Sequence, residues 1–395
     1  MDIYIFSVSG SIVLRILFVN HLLDPVSGGG TAERTFQLAR FMTKELVECG
    51  ILTFDIGDVQ AYENKLSGAQ VYKLPCVFTR YFIPGPLRRG VARLISEYDV
   101  VHLMGHWTLL NAIVAVICLF QNKPYVVCPA GALKSFGRSQ WLKRIYDFVI
   151  GKRIVRSASA WVAITEDEKP DFVHYGVTPE SVVVIPNGVD PDDYEYQILG
   201  EYEKQSTLDK RFSLNGHPYI LFLGRLDKIK GPDLLLEAFA AVTETFPNLH
   251  LIFAGPDSGL METLKADALT MGVDNRVHFA GYVTGDNKIN ALRHAKCLVI
   301  PSREEAMSIV VLEAGICGTP VIFSDRCGLD EFARNGAGIE IQANAHSIGQ
   351  ALIQALTSPE RMRESGKVLK EMVHKSFLWR TQAQRYRALL KKMAD

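Results

Sequence analysis

The chain has 395 residues, of which 48% are hydrophobic and 22% charged, a balance typical of a folded protein with room for two domains. Its 43 lysines and arginines equal its 43 aspartates and glutamates, so net charge gives no reason to expect nucleic acid as a partner. This composition excludes a disordered chain. The seven cysteines form no CxxC pair, and we expect reduced, buried thiols in a cytoplasmic protein.

The first 20 residues are apolar but do not have the pattern of an export signal. Asp2 stands where a signal peptide has basic residues, and Arg15 interrupts the run before it reaches the ~20 residues that a membrane span requires. We therefore predict that residues 15–20 form the first core strand and that residues 1–14 are a dispensable extension.

Short apolar runs then alternate with amphipathic stretches of helical period, the pattern of parallel sheets covered by helices. The predicted strands of the first half are 15–20, 51–55, 71–74, 99–104, 125–128, 160–164 and 182–185. Those of the second half are 219–223, 249–254, 277–280, 297–300, 320–323 and 338–341. Each half is expected to form one doubly wound α/β domain, with a cleft between the two at the carboxyl ends of their strands.

A polar stretch rich in turn residues, 186–218, separates the two halves. We place the domain boundary near residue 195, which gives an N-terminal domain over 1–195 and a C-terminal domain over 196–375. The remaining residues, 376–395, contain an aromatic "FLW" and then the pattern of an amphipathic helix.

A glycine-rich turn follows the first predicted strand. In "DPVSGGGTAERTF" (24–36), Gly29 and Gly30 precede a helical pattern, and glycine lets a backbone approach a phosphate closely. A flexible surface loop is the alternative interpretation. The GxGxxG spacing of a dinucleotide site is missing from this turn.

Two histidines lie near the carboxyl end of the predicted strand 99–104. His102 falls within the strand, where a packed core histidine is the expectation, whereas His106 lies just beyond it. Catalytic groups collect at strand ends in this architecture. His106 is therefore the better candidate, but which of the two contacts a reacting group stays open.

A second turn carries two cations. Gly224, Arg225, Lys230 and Gly231 follow strand 219–223 and precede a helical pattern. The free N–H groups and dipole of a helix N-terminus favour phosphate, and Arg and Lys add charge. A solvated loop is the alternative. The chain has neither GxxxxGK[ST] nor a cluster with metal-ligand spacing, so we predict a metal-independent site in which the two cations neutralise a diphosphate.

Two glutamates bracket an apolar segment, Glu305 and Glu313 in "PSREEAMSIVVLEAGICGTPVI" (301–322). On a continuous helix, residues eight apart lie within about 80° of each other and about 12 Å apart along the axis. That separation is close to the reach of a nucleoside diphosphate sugar. A helix with one exposed glutamate at each end is the alternative.

Taken together, these segments resemble the retaining family 4 of the glycosyltransferases, whose fold is GT-B. The segments that carry the resemblance occur in the family's order: the GGG loop, "VIPNGVD" (184–190), "GRLDKIKG" (224–231), "FAGY" (279–282) and "EEAMSIVVLEAGICGTPVI" (304–322). The tail beginning "FLW" resembles the family's helix that crosses back onto the first domain. The resemblance implies transfer from a nucleoside diphosphate sugar, with retention at the anomeric carbon and the acceptor on the first domain. It implies no cofactor.

The resemblance also implies roles for individual residues. Glu305 would face the transferred sugar, Glu313 would bind the nucleotide ribose, and the two glycines would cover the phosphates and the acceptor side. The predicted catalytic residues are Glu305, His106, Arg225 and Lys230. The predicted substrate-binding residues are Gly29, Gly30, Arg225, Lys230, Glu305, Ser308, Ile309 and Glu313.

The chain departs from the family pattern in two places. Glu305-Ala306-Met307-Ser308 stands where the family usually has E-G-F-G, and backbone amides there touch the sugar and phosphate, so we expect a reshaped donor pocket. Met104 occupies the second position of the family's H-x-H, which makes His106 the candidate substitute.

The segment 65–156 contains 14 lysines and arginines but three acidic residues, interleaved with aromatic residues such as Trp141 and Phe148. A basic surface with apolar side chains suits an anionic membrane leaflet, and a solvated basic face is the alternative. The local sequence "HLMGHW" (102–107) resembles that of family members that build bacterial surface polysaccharides. These features predict a lipid-linked glycan acceptor and a cytoplasmic protein at the inner face of the cell membrane.

Two other functions stay open. A GT-B sugar-nucleotide epimerase also has two such domains, although it lacks the combined G-R-x4-K and E-x7-E set. A non-catalytic nucleotide-sugar-binding subunit of an assembly complex would keep the binding residues without turnover. The sequence identifies neither the base, the sugar nor the acceptor.

Overall fold

The computed structural model describes residues 14–85, 90–134, 140–195 and 207–394. They form two compact units. The first contains the described residues up to Val162, then Phe172–Val183 and the chain from Ala383, and the second contains Ala163–Asp171 and Val184–Gln382. The crossing that leads into the second sheet lies between Val183 and Val184. This is earlier in the chain than the boundary that the sequence predicts near residue 195. The predicted extension up to residue 13 and the linker residues 196–206 lie outside the described residues.

The first sheet has seven strands. Its strands, together with a separate two-stranded hairpin (β4 and β5), are β1 (Arg15–Val19), β2 (Glu48–Phe54), β3 (Ala69–Leu74), β4 (Cys76–Phe78), β5 (Ile83–Pro84), β6 (Val100–Met104), β7 (Tyr125–Cys128), β8 (Ala160–Ala163) and β9 (Val182–Val184). The order across the sheet is β3-β2-β1-β6-β7-β8-β9. The central strands β1 and β6 pair in parallel and read as continuous apolar runs because both of their faces are buried.

Helices cover this sheet and connect its strands. They are α1 (Gly29–Lys44), α2 (Val59–Glu63), α3 (Gly90–Glu97), α4 (Leu109–Phe120), α5 (Gln140–Tyr146), α6 (Lys152–Arg156) and α7 (Lys169–His174). A π-helical turn, Asp147–Gly151, joins α5 directly to α6. The chain order reverses between β1 and β6, so the carboxyl ends of these two strands form the switch point where such sheets bind ligands.

The second sheet has six strands in the order β12-β11-β10-β13-β14-β15. They are β10 (Tyr219–Leu223), β11 (His250–Ala254), β12 (Val277–Gly281), β13 (Leu298–Ile300), β14 (Val321–Ser324) and β15 (Ile339–Ile341). All neighbouring pairs are parallel. The switch point of this sheet lies between β10 and β13.

The remaining helices are α8 (Asp192–Glu195), α9 (Thr207–Phe212), α10 (Pro232–Val242), α11 (Met261–Thr270), α12 (Gly285–His294), α13 (Ile309–Cys317), α14 (Asp330–Arg334), α15 (Ala345–Thr357), α16 (Pro359–Ser376) and α17 (Trp379–Ala394). From Ala383 onward, α17 belongs to the first unit. There the Oη of Tyr386 accepts a hydrogen bond from Arg34 of α1 at 3.1 Å. The predicted terminal helix that returns to the first domain is therefore present.

The prediction of two doubly wound α/β domains is confirmed, and each predicted strand is present with its ends shifted by at most a few residues. The antiparallel β4–β5 pair was not predicted, since its short strands are half-exposed and lack a continuous apolar run.

The cysteines are free thiols, and burial raises the pKa of Cys49 and Cys297 to about 12. Among the described helices, none is long and apolar enough to cross a bilayer.

Candidate functional site

Three of the four charged residues that the sequence singled out in the second unit lie in two loops after neighbouring strands. One loop follows β10 and contains Arg225 and Lys230, and the other follows β13 and contains Glu305. Because β10 and β13 pair in parallel at the switch point, their carboxyl ends meet at one edge of the sheet. A backbone hydrogen bond from Arg303 N to Ile229 O, at 2.7 Å, joins the two loops.

The loop after β10 is shaped by its own backbone contacts. Asp227 Oδ1 accepts a hydrogen bond from Lys230 N at 2.9 Å, and Gly231 caps α10 in the left-handed region at φ 70°. A Cβ at Gly231 would lie 2.2 Å from Pro301 O, so only glycine fits here. This close approach fixes Lys230 at the N-terminus of α10, beside the loop that follows β13.

Lys230 and Glu305 are in direct contact. The Lys230 Nζ lies 2.9 Å from Glu305 Oε1, and both side chains are mostly buried. The second oxygen, Oε2, accepts a hydrogen bond from Ser302 Oγ at 2.9 Å. The carboxylate is therefore held at both oxygens by residues of the two loops.

Arg225 is more exposed than Lys230. Its side chain is 43% exposed, and its Nη2 lies 3.5 Å from Asp227 Oδ2. Sequence reasoning missed a contact nearby, in which Asp233 in the first turn of α10 accepts hydrogen bonds from both Nη atoms of Arg303 at 2.9 Å. Burial alone would raise the pKa of Asp233, but the hydrogen bonds from Arg303 and Lys228 outweigh it and lower the pKa. The only available signal was the position of Ser302 and Arg303 directly after a strand.

The segment from Glu305 to Glu313 is not one continuous helix. Helix α13 begins at Ile309, with Ser308 as its N-cap, so Glu305 lies in the preceding loop and the angular argument from a single helix does not apply. The loop is fixed by Glu305 N, which donates to Arg326 O at 2.9 Å. At Gly328, with φ +62°, a Cβ would lie 2.0 Å from Ala306 O. These contacts fix the loop before α13 and place Ser308 and Ile309 at a helix N-terminus.

Glu313 lies inside α13 and is buried to 8% exposure. Its Oε1 accepts a hydrogen bond from Lys288 Nζ of α12 at 2.7 Å. A buried carboxylate requires such a partner, because leaving it unpaired would be costly. Lys288 is a further residue of this region that sequence reasoning did not identify.

In the first unit, the glycine-rich turn leads from β1 into α1. Helix α1 begins at Gly29, which has φ +58° and nothing within 4 Å of the position that a Cβ would occupy. The turn is anchored by Asp24, whose carboxylate accepts from Ser27 N at 2.6 Å and from Asp58 N at 3.0 Å. Burial by itself raises the pKa of Asp24, but these hydrogen bonds lower it overall. The Gly29–Gly30 backbone is thus held at the carboxyl end of β1.

His102 lies in the core of the first unit with no exposed surface. Its Nε2 is 3.3 Å from the Tyr386 Oη. Burial, assisted by the charge of Arg34, lowers the pKa of His102 to about 3. The ring is therefore neutral at physiological pH.

His106 lies beyond the end of β6 and is only 2% exposed. Its Nε2 is 3.0 Å from Asp147 Oδ1, and Asp147 Oδ2 accepts from the Tyr175 Oη at 2.9 Å. The ring packs edge-on against Trp107, Tyr146 and Tyr175. His106 belongs to this aromatic cluster of the first unit, whereas the other predicted catalytic residues belong to the second unit.

In the ranges that the structure describes, no three His, Cys, Asp or Glu side chains are grouped so that they could hold a metal ion. The charged groups at the β10–β13 edge are instead cations and carboxylates in direct contact. Two parallel-sheet α/β units, each with loops that meet at the switch point of its sheet, define the class of doubly wound α/β proteins.

Two family models match the chain over most of its length. The model described as "Glycosyltransferase Family 4" matches residues 28–193, and the model described as "Glycosyl transferases group 1" matches residues 204–371. Residues 28–193 are therefore identified as a glycosyltransferase domain of the Family 4 type, and residues 204–371 as one of the group 1 type.

Curated relatives carry the name D-inositol 3-phosphate glycosyltransferase. The one from Streptomyces bingchenggensis is 35% identical over 48% of this chain and 43% of its own length. The one from Xylanimonas cellulosilytica is 33% identical over 64% of this chain and 61% of its own length. The chain thus spans about half the length of these relatives.

Solved structures share the fold over nearly the whole chain. The HepE protein of Anabaena, in complex with UDP and glucose, aligns with a TM-score of 0.78 at 19% identity, covering 96% of this chain and 100% of that one. WaaG, a glycosyltransferase involved in lipopolysaccharide biosynthesis, aligns with a TM-score of 0.68 at 20% identity, covering 96% and 98%. At this identity the likeness establishes the GT-B fold alone.

Proposed function

We propose that the protein transfers a sugar from a nucleoside diphosphate sugar to a glycan acceptor. The observation that carries this proposal is the contact between Lys230 and Glu305 at the carboxyl ends of β10 and β13. It places a cation, a carboxylate and a helix N-terminus at the position where open α/β sheets bind their ligands. The matching family models and the curated relatives, which are named glycosyltransferases, support the same function.

In this proposal the departing diphosphate is the group that the protein stabilises. Lys230 stands at the N-terminus of α10, and Arg225 lies in the same loop with an exposed guanidinium. Fixed positive charge stabilises the negative charge that develops on the leaving group, and such preorganised electrostatics supply much of enzymatic rate enhancement. The leaving phosphate oxygen would take the acceptor's proton on the same face of the sugar. Retention then needs no protein nucleophile.

The other donor contacts follow from the same loops. Glu305 would face the sugar, with its orientation fixed by Ser302 and Lys230. Glu313, held at Oε1 by Lys288, would present Oε2 to the ribose hydroxyls. Ser308 and Ile309 would offer the N-terminal amides of α13 to the phosphates, since helix N-termini favour anions.

We also propose that the first unit binds an acceptor at an anionic membrane, on the cytoplasmic side. The surface that supports this is the exposed face of α5 and the following π-helical turn. Four apolar side chains lie on this face, spaced i, i+4, i+7 and i+8. They are Trp141, Ile145, Phe148 and Val149, whose exposed fractions are 65%, 51%, 90% and 68%. This spacing places them on one side of a helix, and large apolar side chains so exposed are typical of a surface that enters an interface.

Cations flank this apolar face. Arg144, Lys152 and Arg153 are exposed and can reach anionic headgroups, each contributing about 1 kcal/mol. Lys143, a further cation of this segment, is instead half-buried over the Trp107 ring at 5.3 Å, and burial lowers its pKa. A lipid-linked glycan is the acceptor class that combines these features with the fold.

The proposal is tested by turnover with purified protein. The donor would be the nucleotide sugar that most raises the thermal midpoint in a panel, and the acceptor a membrane extract. Replacing Arg225 or Lys230 by alanine should lower kcat/KM by roughly 10- to 100-fold, because a hydrogen bond to a charged group contributes about 1.5–3 kcal/mol. Lys228→Ala is the matched control, since Lys228 lies in the same loop but is 69% exposed and paired with Asp233.

Near-normal kcat/KM in both the Arg225 and Lys230 variants would refute the diphosphate assignment. Product formation that needs no acceptor and changes only the sugar's stereochemistry would identify an epimerase instead. Donor binding without any turnover would indicate a binding subunit.

A further inference from the structure

A cleft lies in the second unit, at the opposite end of its sheet from the β10–β13 loops. It has a volume of about 660 Å³, and the residues that line it precede β10, β11, β13 and β14 or lie where α15 ends and α16 begins. This volume is typical of a small-molecule site. We call it the basal cleft, and its charged lining residues are Arg293, Lys296 and Arg363.

The charges of the basal cleft all have one sign. Among the described residues, no aspartate or glutamate lines it, and the acids nearest in sequence, Glu244 and Glu360, are exposed and do not line it. Within the described part of the chain, Lys296 and Arg363 form no ion pair, and Arg293 donates only to the Tyr194 carbonyl, at 3.3 Å. Three cations in one cleft without acidic partners create a positive potential that attracts an anion.

A helix N-terminus reinforces this potential. The 18-residue helix α16 begins at Pro359 in the wall of the cleft, and its N-cap, Ser358, makes no side-chain capping hydrogen bond. The positive end of this helix's dipole favours a bound anion. Arg293 lies in the last turn of α12, where a cation stabilises that helix's dipole. Lys296 and Arg363 have no such structural role.

Apolar side chains form most of the remaining walls, together with the polar side chains of Thr245, Asn248 and Thr319. Phe246, Leu356 and Met362 line the cleft, and Met362 is buried to 4% exposure. An inorganic ion would leave these walls in contact with water, whereas an apolar group attached to the anion would cover them. We propose that the basal cleft binds a phosphate monoester carried on an apolar body. This inference does not depend on the proposed transferase activity.

The test is calorimetric titration of the full chain with phenyl phosphate and with inorganic phosphate. It uses a Lys230→Ala background, which weakens phosphate binding at the β10 loop. Lys296→Ala and Arg363→Ala should each raise the Kd for phenyl phosphate about tenfold or more, the change expected from loss of a charged contact. Arg361→Ala, an exposed cation on the same helical turn that does not line the cleft, should leave the Kd within about twofold. Inorganic phosphate should bind about tenfold more weakly than phenyl phosphate.

Unchanged phenyl phosphate affinity in both cleft variants would overturn the proposal, as would an equal loss in the Arg361 variant. Equal affinity for the two probes would overturn the assignment of an apolar body. Thermal midpoints of the variants, compared with that of the Lys230→Ala background, establish that all are folded, since Lys296, Arg361 and Arg363 are exposed. UDP binding without the Lys230 substitution reports the β10 site independently, so failure at one site is distinguishable from failure at the other.

Discussion

Glu305 and Glu313 are a matched pair in the sequence but have different surroundings in the fold. Glu305 lies in a loop, and Lys230 and Ser302 hold its two oxygens. Glu313 lies within a helix, and Lys288 holds one oxygen. Because Glu305 contacts the proposed diphosphate-binding cation, we expect it to act on the reacting sugar. Because Glu313 lies inside a helix, we expect it to provide a rigid contact that is the same in the ground and transition states.

We therefore expect the two alanine variants to fail in different ways. Glu313→Ala should chiefly weaken nucleotide affinity, because the contact that it removes stabilises the ground state and the transition state equally. Glu305→Ala should lower kcat more, because Glu305 is expected to contact the sugar in the transition state. Steady-state kinetics and separate UDP and GDP affinities measure the two effects. Glu331→Ala, which changes an exposed glutamate on α14, is the control. Loss of nucleotide affinity in Glu305→Ala but not in Glu313→Ala would reverse the assignment.

His102 gives the first unit a definite dependence of stability on pH. Its pKa is about 3 in the fold and about 6.5 when unfolded. Between these values the unfolded chain binds a proton that the folded chain does not. His102 therefore contributes stability that is fully present above pH 6.5 and is lost as pH falls toward 3, at about 1.4 kcal/mol per pH unit. His21 and His278, with pKa values lowered by burial to about 4, act in the same direction.

Urea unfolding between pH 4 and pH 7 tests this linkage. His102→Gln keeps a polar group near the Tyr386 hydroxyl but cannot titrate. The free energy of unfolding of this variant should therefore fall less steeply than that of the wild type as pH decreases, and the two slopes against pH should differ by the contribution of about one proton. His346→Gln on the exposed surface of α15 is the control and should keep the wild-type slope. An unchanged slope in His102→Gln would contradict the neutral buried state.

At the scale of elements, the turn from β10 to α10 depends on a glycine. Gly231→Ala adds a Cβ 2.2 Å from Pro301 O and must also adopt φ +70°. Gly216→Ala is a matched control, because Gly216 has φ +79° but nothing within 4 Å of its Cβ position. The control should lose about 1 kcal/mol of unfolding free energy from backbone strain alone, and Gly231→Ala about 2 kcal/mol more. Denaturant unfolding measures both, and equal losses would show that the close approach is not limiting.

The α5–α6 segment presents its apolar face to solvent, and its interaction with lipid can be tested without disturbing the core. Replacing Phe148 and Val149 by serine should reduce co-sedimentation with anionic vesicles severalfold while leaving the thermal midpoint unchanged, since both are exposed. Replacing Arg144, Lys152 and Arg153 by glutamine should do the same. High salt should mimic the charge variant, because exposed charges are screened over about 8–10 Å at physiological ionic strength.

Phe120→Ser is the control for the apolar variant, since Phe120 is 86% exposed on α4. It should bind vesicles as the wild type does. Equal binding of wild type and both variants to anionic and to neutral vesicles would remove the membrane proposal and the main support for a lipid-linked acceptor.

At the scale of the whole molecule, the protein is proposed to neutralise its donor with its own cations. Arg225 and Lys230 provide two positive charges in one loop, reinforced by the N-terminus of α10. We expect turnover in EDTA to stay within about twofold of that in Mg²⁺, because these charges act where a metal otherwise would. Assays in both media with the same donor decide the point. Complete loss in EDTA, restored by Mg²⁺ or Mn²⁺, would refute this role for the two residues.

The two sheets, the order of their strands along the chain and the loops that follow β1, β10 and β13 could be predicted from local sequence patterns. Central parallel strands are buried on both faces, so they are visible as continuous apolar runs such as "RILFV" and "YILFL". Turns that require glycine, as at Gly231, can also be recognised from the neighbouring residues in the sequence. The half-exposed β4–β5 hairpin lacks such a run and was missed for that reason.

Which side chains meet depends on the packing of elements that are distant in the sequence. Lys230 contacts Glu305, Glu313 contacts Lys288, and His106 contacts Asp147, although no local pattern links the members of these pairs. The fold also decided that the apolar side of α5 faces solvent while Lys143 packs over Trp107. A periodic pattern shows that one side of a helix is apolar, but whether that side faces the core or the solvent depends on how distant elements pack around it.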